Sequence, residues 1–286
     1  MNSIVRNVTV RDTTGPIVSI TGNNPYHVEY TTGTWTDQGS GANEPSTLTS
    51  TVIRNPSGVV STSVDNTVFG NWTVTYTRVD PYGNSGTGVR TVNVADTTIP
   101  TVTIQGNNPY YVERLTGTWT DQGSTADEPT TVVVTIRDPS NTIQSSINNA
   151  VVGNWTVTYT RTDSYGNSGS ASRTVTVRDT VAPVITLTGS SSITVERLSA
   201  YTEEGATATD AGSSVTVSYG NFTLAQNNGH GNPYSVGYTF SYLNTNYHNS
   251  VWTRSYSAND GRGNTATITR TITVLDRTPP SVVSAP

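Results

Sequence analysis

The chain repeats itself. Asn23-Asn-Pro-Tyr26 returns as Asn107 to Tyr110, Gly33-Thr-Trp-Thr-Asp-Gln-Gly-Ser40 as Gly117 to Ser124, Gly70-Asn-Trp-Thr-Val-Thr-Tyr-Thr-Arg78 as Gly153 to Arg161, and Tyr82-Gly-Asn-Ser-Gly86 as Tyr165 to Gly169. A third, more divergent copy runs through Val195-Glu-Arg-Leu198, Tyr201-Thr-Glu-Glu-Gly205, Trp252 and Asp260-Gly-Arg-Gly-Asn264. A fixed period of this kind restricts a chain to small units that each close a core of their own. The apolar fraction of 33% fits several small cores better than one large one.

Within a copy the local signal is strand. Trp72, Val74 and Tyr76 alternate with Thr73, Thr75 and Thr77, which places an aromatic and aliphatic stripe on one face and hydroxyls on the other. β-Branched Thr and Val suit a pleated, half-buried surface, and no stretch shows helical apolar spacing. Asp80-Pro-Tyr-Gly-Asn84, with its counterparts at Asp163 to Asn167 and Asp260 to Asn264, reads as a hairpin turn between the Trp72 strand and the Val89 to Val94 strand. Short strands with frequent turns over each repeat predict an all-β protein of tandem immunoglobulin-like β-sandwich domains.

The boundaries follow the recurring Asp12, Asp96, Asp179 and Asp276. They give domains over 13–96, 97–179 and 180–276, the last enlarged by an aromatic-rich insertion at about 220–248. Residues 1–12 match the closing strand of a copy, and 277–286 match a linker and the start of a following strand. Two readings of the opening segment stand side by side: the end of a preceding domain in a longer array, or a donor strand that completes a sheet edge in an identical chain. All three copies keep their own last strand, at Val89 to Val94, Arg173 to Val177 and Thr267 to Val274, which favours the array.

The pattern resembles a known group, the bacterial immunoglobulin-like repeats found also in some insecticidal crystal proteins, similar in style to hyalin-type repeats. It is carried by Asp96 to Pro100, Val112-Glu113, Trp119 to Gly123, Trp155 to Tyr159 and Asp163 to Asn167. The resemblance implies a stalk, spacer, filament subunit or adhesive module of an exported protein, extracellular or on a cell surface. The third copy departs from it, with Tyr201 in place of Trp, Arg254 where Val74 and Val157 stand, and the insertion before Trp252.

Composition narrows the function classes. A net charge of −5 argues against nucleic acid, since phosphate binding needs clustered cations. All 15 basic residues are Arg, so no Lys is present for an isopeptide staple or a Schiff base, and the absence of Cys removes disulfides and thiol chemistry. No apolar run reaches the roughly 20 residues that span a bilayer, and the first residues lack a signal-peptide core. No GxSxG, HExxH or paired-carboxylate motif supports hydrolysis; His27 is matched by Tyr111, and His230 and His248 lie in the insertion. The chain reads as non-enzymatic.

Two constellations remain. Most of the 20 acidic residues recur in repeat columns. In a sandwich, the entering linker, one inter-sheet loop and the Asp80-type turn share one end. That end would gather Asp12, Glu44 and Asp80, then Asp96, Glu128 and Asp163, then Asp179, Asp210 and Asp260, as candidate calcium ligands at domain junctions. The alternative is that these Asp residues bond the backbone N–H groups of their own turns. The second constellation is the insertion, where Tyr219, Phe222, Tyr234, Tyr238, Tyr242 and Tyr247 stand among Asn, Gly and Ser as a candidate glycan- or protein-binding surface. Its alternative is an extra hairpin, 235–242, packed on its own sheet. Trp35, Trp72, Trp119, Trp155 and Trp252 read as core rather than as sugar platforms.

Overall fold

The computed structural model describes residues 4–227, 236–237, 239–240, 243–246 and 248–279, and every regular element among them is a strand. The first repeat contains β1 (Val18–Ile20), β2 (Tyr26–Glu29), β3 (Ser40–Ala42), β4 (Thr47–Arg54), β5 (Val60–Ser61), β6 (Gly70–Val79) and β7 (Ser85–Ala95). The second contains β8 (Val102–Ile104), β9 (Tyr110–Glu113), β10 (Ser124–Ala126), β11 (Thr131–Arg137), β12 (Ile143–Gln144), β13 (Gly153–Thr162) and β14 (Ser168–Arg178). The third contains β15 (Val184–Leu187), β16 (Ser192–Glu196), β17 (Ala206–Thr209), β18 (Thr216–Tyr219), β19 (Phe222–Gln226), β20 (Thr239–Phe240), β21 (Ser250–Asn259) and β22 (Thr265–Leu275).

Each repeat has one two-stranded and one larger sheet. The small sheets are β1-β3, β8-β10 and β15-β17; the large ones run β2-β7-β6-β4-β5, β9-β14-β13-β11-β12 and β16-β22-β21-β19-β20, with β18 also on β21. The long hairpin β6-β7 is antiparallel, with Trp72 opposite Val92, and β2 joins β7 in parallel, with Val28 opposite Val94. Two compact units divide the chain: Met1–Gln105 with Gly123–Val134 and Tyr159–Ala171, and Gly106–Gln122 with Thr135–Thr158 and Ser172–Pro286.

The alternation read from the sequence sets the core. Trp72, Val74 and Tyr76 point inward with Val28, Ile53, Val92 and Val94, and Val18, Ile20 and Trp35 close over them from the other side. Gly86 and Gly88 make that closure possible, because a Cβ on Gly86 would stand 1.8 Å from the Pro16 carbonyl and one on Gly88 2.8 Å from Val18. The turn at Asp80 forms as expected: Asp80 N–H donates to Asn84 O at 3.0 Å, and Gly83 takes the left-handed φ of 91° that favours glycine.

The third repeat builds its core differently. Phe222, Leu224 and Leu243 join Trp252, Ile272 and Val274, so the described ends of the insertion are part of the core. β18 and β19 together hold the place of β4 beside the long hairpin, and β20 pairs with β19 at Phe222–Thr223. Arg254, in the column of Val74, is accommodated because its guanidinium lies 4.2 Å from the Tyr219 ring centroid and 4.4 Å from that of Phe222, with Nε donating to Gly220 O. Residues 4–11 carry no strand, and Ile4, Val8 and Val10 are exposed.

Candidate functional site

The candidate site lies where the chain enters each repeat. The entering Asp caps the linker: Thr14 N–H donates to Asp12 Oδ1 at 3.0 Å and Thr98 N–H to Asp96 Oδ1 at 3.1 Å. The turn Asp is held from several sides. Asp80 Oδ1 accepts from the N–H groups of Tyr82 and Asn84, and Oδ2 from the Asn84 amide at 2.8 Å. Asp163 and Asp260 repeat this arrangement. The same Asn amides reach back to the linker, to Asp12 O, Asp96 O and Asp179 O at 3.2–3.3 Å. The turn-capping alternative is therefore present, and it fixes the carboxylates in place.

The loops then bring Glu44, Glu128 and Asp210 to these pairs. Within each of the groups Asp12–Glu44–Asp80, Asp96–Glu128–Asp163 and Asp179–Asp210–Asp260, one carboxylate oxygen per residue lies within 4.8 Å of the others. Electrostatics differs among members. Desolvation pushes Asp163 up, but the Asn167 amide and the N–H groups of Asn167, Tyr165 and Gly166 outweigh it and leave the carboxyl below its usual value. Glu128 is instead raised, by desolvation and then by the charges of Asp163, Asp96 and Asp127. Two guanidinium groups relieve the third group, with Arg114 Nη1 at 3.4 Å and Arg262 Nε at 3.6 Å from Asp179 Oδ2. Asp210 Oδ2 is buried there with no hydrogen-bond donor among the described residues. Oxygen-only ligands, crowding of like charge and an orphaned carboxylate oxygen fit a hard divalent cation.

Among the aromatic candidates, Tyr219 is 65% exposed, whereas Phe222 is 2% exposed and packs in the core, out of reach of an external ligand. Tyr234, Tyr238, Tyr242 and Tyr247, like His230, lie outside the described residues, as does half of the 235–242 hairpin. His248 Nδ1 accepts from Asp276 N–H at 2.7 Å.

Two columns have roles that the sequence reading did not assign. Glu29 accepts from Thr97 N–H at 2.9 Å and Thr97 Oγ1 at 2.6 Å, Glu113 does the same with Thr180, and Glu196 accepts from Arg277 N–H; each ties the exit of a repeat to the next linker. Arg90, Arg173 and Arg270 are fully buried. Arg90 donates to Tyr76 Oη, Asn23 O and Gly39 O, and Arg270 to Glu203 and Gly205 O. The signal was available: these Arg residues recur in all copies and share strand parity with the buried Val92, Val175 and Ile272.

Comparison with known families agrees with this architecture over the second repeat. Residues 102–177 match the family "Bacterial surface protein, Ig-like domain". Hyalin of Lytechinus variegatus is 32% identical over 235 residues, which cover 76% of this chain and 39% of that protein. Hyalin of Strongylocentrotus purpuratus is 29% identical over 309 residues, covering 98% and 22%. The chain thus spans well under half the length of these curated relatives. Cadherin domains 3–6 of protocadherin gamma B2 align over 92% of this chain and 77% of that one, at 17% identity and a TM-score of 0.31.

Proposed function

Because the chain is a tandem array of immunoglobulin-like sandwiches whose second copy matches a bacterial surface domain, we propose that it is a non-enzymatic structural segment of an extracellular or cell-surface protein, a stalk, spacer or filament subunit whose repeat junctions are stiffened by divalent cations. The observation that carries this reading is the threefold recurrence of one construction at the point where the chain enters a repeat: a linker Asp, a capped turn Asp and a third carboxylate within 4.8 Å. Calcium is the matching ion, since it accepts six to eight oxygens in flexible geometry and carboxylates alone can supply the charge. When bound it would neutralise the crowded group; the chain's own part is to hold the ligands, through the Asn84-type amide, and to tie the linker, through the Glu29-type carboxylate.

On this reading, residues 13–96, 97–179 and 180–276 are the three domains, and their partners are neighbouring immunoglobulin-like domains of the same or identical chains. The test is isothermal titration of the 286-residue chain with calcium after chelation. Saturable binding that is lost in an Asp80→Asn, Asp163→Asn, Asp260→Asn triple variant supports the reading. Absence of binding at about 10 mM calcium, beyond the range of weak extracellular sites, refutes the cation component.

A further inference from the structure

The five tryptophans fall into two classes. Trp72, Trp155 and Trp252 are fully buried, and their indole N–H groups donate to Val68 O, Val151 O and Ser250 Oγ at 2.9–3.1 Å. Trp35 and Trp119 are only half-buried, and their indole nitrogens have no acceptor among the described residues. Each of these two rings walls a surface cleft, of about 450 Å³ beside Trp35 and about 540 Å³ beside Trp119. Both volumes fall in the range of small-molecule sites.

The two clefts are built from the same repeat columns. Thr34 and Thr118, Ser63 and Ser146, and Asn66 and Asn149 line them in equivalent places. The adjoining loop is rewritten between the copies, from Ser57-Gly-Val-Val-Ser61 to Ser140-Asn-Thr-Ile-Gln144, while the Trp, Ser and Asn columns stay the same. The walls are set in advance: Asn66 donates to Thr31 O at 3.0 Å and Gly33 O at 2.7 Å, and Asn149 donates to Gly117 O at 2.8 Å.

The lining chemistry selects the ligand. It offers hydroxyls, amides and one aromatic wall, with no basic residue. The one carboxylate, Asp65, already accepts from Thr67 N–H and Oγ1, and its counterpart is the neutral Asn148. A charged ligand finds no partner common to both clefts. A pyranose does, because its C–H face covers the indole while its hydroxyls meet Ser, Thr and Asn. We propose that the first and second repeats each bind a neutral saccharide in the clefts walled by Trp35 and Trp119. The third repeat lacks the indole: Tyr201 stands in its place, with its hydroxyl donating to Glu203 at 3.1 Å and its ring against Phe222. The chain therefore carries two such sites, independent of the cation groups.

The experiment titrates the 286-residue chain, in chelator, with lactose, maltose, cellobiose and N,N′-diacetylchitobiose, followed by tryptophan fluorescence and saturation-transfer NMR. At least one probe should saturate with a millimolar Kd and two equivalent sites. Ser63 and Ser146 are exposed, so Ser63→Tyr and Ser146→Tyr should each fill one cleft without disturbing the core. One substitution should halve the number of sites and the pair should abolish binding, with unchanged thermal unfolding. Failure of every probe to saturate at roughly 10 mM, about tenfold above the expected Kd, overturns the proposal, as does wild-type binding by the double variant.

Discussion

Arg270 is sealed inside the third repeat, ion-paired to Glu203, whose side chain is itself only 13% exposed. Removing one member of such a pair leaves an uncompensated charge, at a cost of about 3–5 kcal/mol. Arg270→Met should therefore lower the unfolding free energy of the third repeat, measured by urea denaturation, by that amount, while the exposed Arg277→Met should stay within about 0.5 kcal/mol. This column was legible as a recurrence, yet strand alternation assigns inward positions to apolar residues and gives no reason to place Arg there. What makes it possible is the ring of backbone carbonyls at Asn23 and Gly39, an arrangement made by the fold and invisible to local pattern. The carboxylates follow a separate logic. Asp80, Asp163 and Asp260 are held below their ordinary 3.8 by Asn and backbone donors that outweigh desolvation, so their contribution is full above that value and is lost as pH falls through the lower folded values. Glu128 has the opposite sign: raised above 4.5, it costs stability at neutral pH and is relieved as pH falls through its folded value. Without divalent cations, Glu128→Gln should raise the melting temperature at pH 7 and have no effect at pH 3. A neutral change at pH 7 would show that the carboxylates are not in conflict there.

Strands and their connections show where local pattern suffices. The Trp72, Val74, Tyr76 stripe and the Asp80 to Asn84 turn were readable because period two and turn chemistry act within a few residues. The insertion was located by length but its role was not, because Leu224 reaches the core through the pairing of β19 with β21 and Leu243 from a segment outside any strand. Leu243 should accordingly behave as a core residue: Leu243→Ala should cost about 2–5 kcal/mol in equilibrium unfolding, and a loss under 1 kcal/mol would mark the segment as an accessory to the fold. The linkers show a second kind of hidden element. Glu29 and Glu113 act over 67–69 residues of sequence, too far for any local signal. Two chemistries then finish equivalent places. Tyr165 stacks on Phe69 at 5.2 Å and lies 5.5 Å from Tyr30. In the next repeat the same columns hold Arg262 and Arg114, and Arg114 donates to Ala211 O and Gly212 O at 2.9–3.0 Å. Aromatic contacts are indifferent to salt and ion pairs are screened by it. Raising ionic strength should therefore weaken an Arg114-dependent stabilisation, measured as the difference between wild type and Arg114→Gln, and leave the Tyr165→Ala difference unchanged.

A repeat array is nearly one-dimensional, so its stability is a sum of what each repeat contributes and what each neighbour pair adds. Cation groups that draw on a linker Asp and two loops of the repeat it enters act mainly on the second of these. Extracellular calcium sites commonly have a Kd of about 10⁻⁴–10⁻³ M, and at roughly 1 mM calcium each would contribute about 0.4–1.4 kcal/mol. For repeats of this size that corresponds to a rise of several degrees in melting temperature. The third group should respond least, because Arg114 and Arg262 already neutralise Asp179. Coupling between repeats has a further consequence: calorimetry with calcium should show transitions drawn together, and calorimetry in chelator should show them separated, the first repeat shifting more than the third. Small-angle scattering on the same samples should report a narrower distribution of maximum dimension with calcium. If calcium moves neither the transitions nor the distribution, the linkers are stiff through Pro16, Pro100 and the Glu29-type ties alone, and the acidic groups act only as turn caps.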